Sequence, residues 1–488
     1  MSVWAQRRPS LPRTLRLPLV AELGGLALVV TAAAYVYTRN LHSYLGYDEG
    51  NYLGSLDALR HGQALGRDVF LDQPPGWYLL LVAVSYPFGN SVSGVRTGLV
   101  VVSLLAIVAA YACGRLAGGP RSGVVAAAVM GIARPLPGLA GLVESEPASA
   151  ALAVVAVALA VSAYRARFRP WFAFAAGVAL GAATAVKLPG ATAALPIAAL
   201  ALLCGSGPVV RRLLPPVAGA GVVCVAIVVA YRNALPQIWH GVVVTHTRIL
   251  GTGTSQSNTH RALTFVDPRT PFGCLVIAGA AASILVAARG RSGRLLAALW
   301  AWSLSGYGFI LAMHPLLDHH FVFLAVALAV PAGVGLGLFT AGLPRHAAAT
   351  AVLVVASFVA AGFYEQRHEI IGNVTAKPPE ITWAVDQLRA HTRPGQLVVS
   401  DLPAVPYLAR RQMPGQLIDT SIARIADEDL TPAQVLKLID EAHPAAVIVG
   451  RMFQTKPAIL NGIRARYGRP LHYQLHPAGY VDVYLAKP

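Results

Sequence analysis

Runs of apolar residues, each close to the roughly 20 that a helix needs to cross a bilayer, recur along this 488-residue chain and leave little alternative to a membrane-spanning bundle. They fall at about 18–38, 94–114, 122–140, 147–164, 171–187, 191–206, 214–231, 271–288, 295–313, 320–341 and 346–364. Charged residues make up 12% of the chain, against about 25% in a typical soluble domain, which excludes a soluble fold for most of it. The expected class is therefore mainly α, a polytopic membrane protein with about eleven transmembrane helices. The first run follows Arg7, Arg8, Arg13 and Arg16. It lacks a clear small-residue cleavage site, so it is read as a retained span and not as a signal peptide.

The arginines set the expected orientation. With the N-terminus inside, successive cytoplasmic loops hold Arg115 and Arg121; Arg165, Arg167 and Arg169; Arg211 and Arg212; Arg289, Arg291 and Arg294; and Arg345. That is the positive-inside pattern. The acids run the other way. Of the ten before residue 365, all but Glu22 fall on the outer side: Asp48, Glu49, Asp57, Asp68, Asp72, Glu144, Glu146, Asp267 and Asp318. The formal charge of +17 thus reads as cytoplasmic loops and contact with anionic lipid. No nucleic-acid motif accompanies it. Cys113, Cys204, Cys224 and Cys274 lie far apart in apolar segments and show no disulfide or zinc spacing.

Two regions break the apolar pattern. The first is a polar insert at 39–93, with a short helix expected at 50–61. A second apolar segment there, from Pro74 to Phe88, is too short to span. It suits an interfacial or re-entrant helix, with Trp77, Tyr78 and Tyr86 at headgroup depth. The second region is 365–488, whose composition is that of a soluble domain. Strands are expected at 397–401, 416–419, 445–449 and 480–485, with a short helix or turn at 403–411 and helices near 431–442 and 455–467. This order points to an extracytoplasmic α/β domain with a mostly parallel sheet, joined to a membrane domain of residues 1–364. It carries neither a dinucleotide fingerprint nor a P-loop. The fourth outer loop, 232–270, holds His240, His246, Arg248 and a flexible tract at Gly251–Ser255, a composition suited to a mobile lid.

The informative polar residues gather in the outer loops. Tyr47-Asp48-Glu49-Gly50-Asn51-Tyr52 is followed by Asp72-Gln73-Pro74-Pro75-Gly76-Trp77-Tyr78, then by Phe88-Gly89 and Arg96. In this order the sequence resembles the GT-C glycosyltransferases, and within them the protein-O-mannosyltransferase and aminoarabinose-transferase branch with RgtA-type domains. The detailed resemblance covers roughly 40–200, and His314 to His320 fits more loosely. It implies a transferase on the outer face that uses a polyprenyl-phosphate-linked sugar, with an aspartate general base in the first outer loop and inversion at the sugar carbon. Asp48 maps onto that aspartate and Glu49 onto the second motif carboxylate. The second-loop acid of the family falls on Glu144 or Glu146, and spacing does not choose between them.

The chemistry asks for such residues. A sugar hydroxyl is a poor nucleophile, and a positioned carboxylate that takes its proton is worth about 10²–10⁴-fold. The leaving lipid phosphate needs positive charge or a metal to receive it. Lys187 at a span end is a candidate, with Arg96, His319 and His320 behind it. His314, Asp318, His319 and His320, with Asp48, are candidate ligands for a divalent cation such as zinc or manganese. Each has a plainer reading: Glu144 and Glu146 as helix-capping acids, Lys187 as a snorkelling side chain, and Asp72 with Gln73 as a helix start. The expected partners are a polyprenyl-phosphate sugar donor, a glycan, lipid or protein acceptor, and membrane lipid. The rival classes are a transporter or flippase, which predicts charges near the bilayer midplane and broken half-helices in repeated halves, and a non-catalytic envelope-assembly protein.

Overall fold

In the computed structural model the described residues are 19–164, 168–245, 257–290, 292–373, 378–426, 428–475 and 479–487. The N-terminal arginines, His246, Arg248 and the tract 251–255 lie outside them. The protein is a multi-pass helical bundle capped by a small mixed α/β domain. Its centre is Phe321–Ala341, apolar on every side and buried over almost its whole length. Around it pack Val92–Gly118, Pro120–Gly131, Pro271–Ala288 and Gly293–Ala312. A helix that is hydrophobic all round belongs at such a position. The helices Val209–Ala230 and Arg345–Asn373 instead leave most of their apolar surface outward, as lipid-facing helices do. Small residues let neighbours close up. A Cβ added to Gly177 would lie 1.9 Å from the Pro216 carbonyl oxygen, so Pro170–Val186 and Val209–Ala230 cross in backbone contact.

Seven helices among the described residues are long and apolar enough to cross a membrane: Val92–Gly118, Ser145–Tyr164, Val209–Ala230, Pro271–Ala288, Gly293–Ala312, Asp318–Ala341 and Arg345–Ile370. The expected count of eleven full-length spans is not reached by this measure. The run 122–140 divides into Pro120–Gly131 and a single turn at Leu136–Leu139. Pro135 between them lacks an amide hydrogen and keeps Arg134 from helical geometry. The run 191–206 divides likewise into a 3₁₀ segment, Leu188–Ala193, and a ten-residue helix, Ala194–Leu203. The last apolar helix continues to Asn373, so the change of composition at 365 falls inside an element.

The 39–93 segment contributes the helices Tyr47–Arg60 and Pro75–Phe88. Trp77 and Tyr78 are fully buried, with their rings edge-on to Tyr52 at centroid distances of 5.4 Å and 6.4 Å. Neither is exposed as an interfacial anchor would be, because the helix they belong to is covered by Tyr47–Arg60 and by Pro170–Val186. Only Tyr86 is exposed.

Four strands, β1 (Val398–Ser400), β2 (Ala446–Val449), β3 (Leu471–Leu475) and β4 (Gly479–Leu485), form a sheet in the order β1-β2-β4-β3. Only β1 and β2 are parallel; β4 runs antiparallel to both β2 and β3. The sheet is thus mixed and not mostly parallel. The strand expected at 416–419 is a 3₁₀ turn, Gly415–Leu417. Its backbone is committed to the 39–93 segment instead. The Phe70 amide donates to the Gly415 carbonyl at 3.3 Å.

Candidate active site

Asp48 and Glu49 occupy the first turn of Tyr47–Arg60, where free amides and the helix dipole favour acids. The two point to different tasks. Glu49 accepts from the Gly46 amide at 3.3 Å and from the Val143 amide at 2.7 Å. Arg96 clasps it through two bonds, Nε to Oε1 at 2.9 Å and Nη2 to Oε2 at 2.6 Å. The same guanidinium donates to the carbonyls of Asn40, Leu41, Ser43 and Tyr44. Arg96 has no exposed surface and lines neither hollow beside Asp48. The expectation that it receives the lipid phosphate is therefore corrected. Its charge is spent on Glu49 and on the backbone that leads into Asp48. Glu49 is the other half of that fastening, which removes it from direct chemistry.

Asp48 opens onto two adjoining hollows. One, about 350 Å³, is lined by Tyr47, Asp48, Tyr52, Asp72, Glu144, Glu146, Lys187, His314, His319, His320, Asp419 and Arg451 among others. The other, about 460 Å³, adds Asn40, Tyr44, Glu49, Arg134 and Asp318 and shares Asp48, Glu144 and His319. Protein crowds the Asp48 carboxyl beyond these openings. Burial pushes it up to about 6, and the charge of Asp72 adds to the rise while Lys187 opposes it. Glu144 lies well above the ordinary carboxylate range, first through burial and then through the charges of Asp48, Glu146 and Glu49. A larger hollow, about 520 Å³, is lined by Phe70, His240, Arg424 and Asp429, and none of the expected site residues reaches it.

The open choice between Glu144 and Glu146 resolves into two environments. Glu146 is fully buried at the start of Ser145–Tyr164 and is ion-paired to Lys187. His319 Nε2 stands 3.4 Å from the same Glu146 oxygen. Glu144, half-buried, faces both hollows with Asp48. Lys187 terminates Pro170–Val186 and lies mostly covered, so it is a member of the cluster and not a snorkelling surface lysine. His320 Nδ1 accepts the Leu317 amide at 3.2 Å, which orients its ring.

Glu146, His319 and His320 bring ligand atoms within 4.8 Å of one another. One carboxylate and two imidazoles are the right kind of donors for zinc or manganese. The expected ligands Asp48, His314 and Asp318 are not among them. Asp318 is an exposed partner of Arg261, and His314 is exposed at the rim of the smaller hollow. Lys187 already sits on Glu146, so a dication there meets a like charge on its own ligand. A metal bound there would have to displace the Lys187 ammonium from Glu146.

Two residues of the hollow, Asp419 and Arg451, escaped the sequence reading, and a third, Asp72, was read chiefly as a helix start. Asp72 is no mere helix start: its carboxylate accepts from Tyr78 at 2.7 Å and from Tyr52 at 3.4 Å, and it lines the smaller hollow. Its position on the same side as Asp48 was the available signal. Asp419 and Arg451 come from the α/β domain. Arg451 follows the carboxyl end of β2, the end at which open sheets place their sites. Nothing local marks Asp419.

The comparisons with known proteins bear on the fold. The model of the dolichyl-phosphate-mannose-protein mannosyltransferase family matches residues 72–232. ArnT from Cupriavidus metallidurans in its apo state superposes with a TM-score of 0.68 at 17% identity, over 96% of this chain and 100% of that one. The same protein bound to undecaprenyl phosphate gives 0.70 at 17%, over 95% and 99%. The archaeal oligosaccharyltransferase AglB from Archaeoglobus fulgidus, in complex with an inhibitory peptide and a dolichol-phosphate, gives 0.54 at 13%, over 96% and 75%. No curated protein sequence matches the chain. At these identities the likeness is one of fold, and the fold is GT-C. The expected fold therefore holds, and the family match takes in the Asp72 motif.

Proposed function

We propose that this protein is a membrane glycosyltransferase that moves a sugar from a polyprenyl-phosphate-linked donor to a cell-envelope acceptor on the outer face, with Asp48 as general base. The reading is carried by one observation: Asp48 sits at the junction of two hollows with its carboxyl held near 6. A base matched to working pH takes a proton best. The undecaprenyl phosphate bound by the similarly folded ArnT supports the donor class. The arginine distribution supports a cytoplasmic N-terminus and an outer site.

In the proposed step the acceptor hydroxyl lies against Asp48. Its proton passes to the carboxylate as its oxygen forms the new bond to the anomeric carbon. The bond from that carbon to the phosphate oxygen breaks on the opposite face, and the electron pair leaves with the polyprenyl phosphate. Displacement in line inverts the sugar carbon. Glu144 and Asp72 border the space in which the acceptor must lie. Lys187, His319 and His320 supply the nearby positive and hydrogen-bonding groups for the departing phosphate. A transporter reading would need these charges near the middle of the bundle. Instead Glu146, Lys187 and His320 all stand at helix ends.

The test is transfer from labelled polyprenyl-phosphate sugars by the reconstituted protein and by Asp48→Asn. The expected loss is about 10²–10⁴-fold in kcat with donor binding kept. Undiminished transfer by the variant removes Asp48 from the base role.

A further inference from the structure

We propose that Arg451, supplied by the α/β domain, binds a substrate phosphate in the same hollow as Asp48, so that this domain is part of the active site and not a cover over it. The inference rests on the transferase reading above and deepens it.

Arg451 is aimed with care. It follows Gly450 at the carboxyl end of β2, and Asp401 at the end of β1 fixes the turn. The fully buried Asp401 carboxylate accepts the amides of Gly450 at 2.8 Å, Arg451 at 2.9 Å and Phe453 at 2.8 Å. The Arg451 guanidinium then lies over the ring of Tyr47, 3.9 Å from its centroid, one residue before Asp48. Tyr47 is itself pinned by the α/β domain. Its hydroxyl donates to Asp419 at 3.1 Å and accepts the Thr420 amide at 2.7 Å. The domain cannot shift easily on this helix. A Cβ on Gly50 would fall 2.5 Å from the Ala404 amide nitrogen, so the two backbones are in contact there.

Despite this placement, Nη1 of Arg451 is buried with no hydrogen-bond partner among the described residues, and the side chain lines the smaller hollow. A guanidinium carries five donors and is strongly disposed toward phosphate oxygens. Leaving a charged donor buried and unmet is costly unless a ligand completes it. Lys187, in the same hollow, already shares its charge with Glu146, whereas Arg451 keeps an unmet donor. Stacking on Tyr47 holds the guanidinium plane while leaving its edge for an oxygen. The ligand chemistry is a phosphate mono- or diester, and it can come from the donor lipid or from a phosphorylated acceptor.

The experiment uses the full chain in lipid nanodiscs. Binding of a polyprenyl monophosphate and of the neutral polyprenol is measured for the wild type, Arg451→Gln and Arg451→Lys, beside KM for donor and acceptor. Arg451→Gln is expected to weaken polyprenyl monophosphate by about 10- to 100-fold, as loss of a charge-assisted pair predicts, and to leave polyprenol unchanged. Arg451→Lys keeps the charge over Tyr47 and loses the fork, so a smaller weakening, several-fold, is expected; it decides the matter should Arg451→Gln not fold. A rise confined to the KM of a phosphate-bearing acceptor also upholds the phosphate site and assigns it to the acceptor. Unchanged donor and acceptor constants in Arg451→Lys, or equal weakening for polyprenol, overturn the inference. A wild type that neither transfers sugar nor binds polyprenyl monophosphate sinks the transferase reading itself; one that does both, with variants that match it, sinks only Arg451.

Discussion

Replacing Arg96 with methionine should damage this protein more than any change at the hollow itself, although Arg96 touches no substrate in the proposed reaction. The side chains of the ion pair are 0% and 3% exposed. Methionine fills much of the arginine stem's volume, so the loss is mainly electrostatic. Glu49 would keep only the amides of Gly46 and Val143. A buried charge stripped of its partner costs about 3–5 kcal/mol. The carbonyls of Asn40, Leu41, Ser43 and Tyr44 lose their donor as well, at about 1 kcal/mol for each that water cannot reach. Arg96→Met with Glu49→Met abolishes the first cost, keeps the second and adds about 1 kcal/mol for each of the Gly46 and Val143 amides left without an acceptor, a smaller sum than the charge it removes. The expected order of melting temperature, read by intrinsic fluorescence in detergent, is wild type, then the double variant, then Arg96→Met. Transfer should fall in both variants, because the backbone from Asn40 to Tyr44 leads directly into Asp48. Melting of Arg96→Met at the wild-type temperature would refute this reasoning, as would a double variant no better than the single.

The pH profile offers a second check. Asp48 acts as a base only when ionised, so transfer should rise through pH 6, and at pH 5 it should stand about tenfold below its plateau. The sign for stability is opposite. A raised carboxyl contributes stability that is complete below its ordinary value near 3.8 and is lost as pH rises through about 6, so Asp48→Asn should melt higher than the wild type at pH 7 while transferring less. Because Lys187 occupies Glu146, a chelator should leave the rate of transfer unchanged; abolition by chelation and recovery with zinc or manganese would show that a metal displaces the lysine. Trp77 is fully buried against Tyr52, so Trp77→Ala should cost about 3–5 kcal/mol in unfolding, whereas a headgroup anchor would lose far less.

The comparison of Asp48 with Arg451 shows how far the amino-acid order reaches. Hydropathy and charge are local properties, and they suffice to set out the apolar helices and the acids that cluster with Asp48. Asp48, Glu144, Glu146, Lys187, His319 and His320 are legible because each stands at the same end of an apolar run, and the bilayer forces those ends into one layer. Helix breaks were less legible: Pro135 divides an apolar run that hydropathy alone reads as continuous. Trp77 was misread because aromatic residues near a span end favour the interface only when no second helix covers them.

What a polar residue does within its layer is another matter, and packing decided it. Arg96 looks like a phosphate-binding cation until Glu49 and four carbonyls are seen to surround it. Asp419 and Arg451 lie some hundreds of residues from Tyr47 in sequence, yet they meet its hydroxyl and its ring. Periodicity cannot carry that information. It arises where two surfaces distant in sequence touch, and there shape and buried charge choose which side chains face one another.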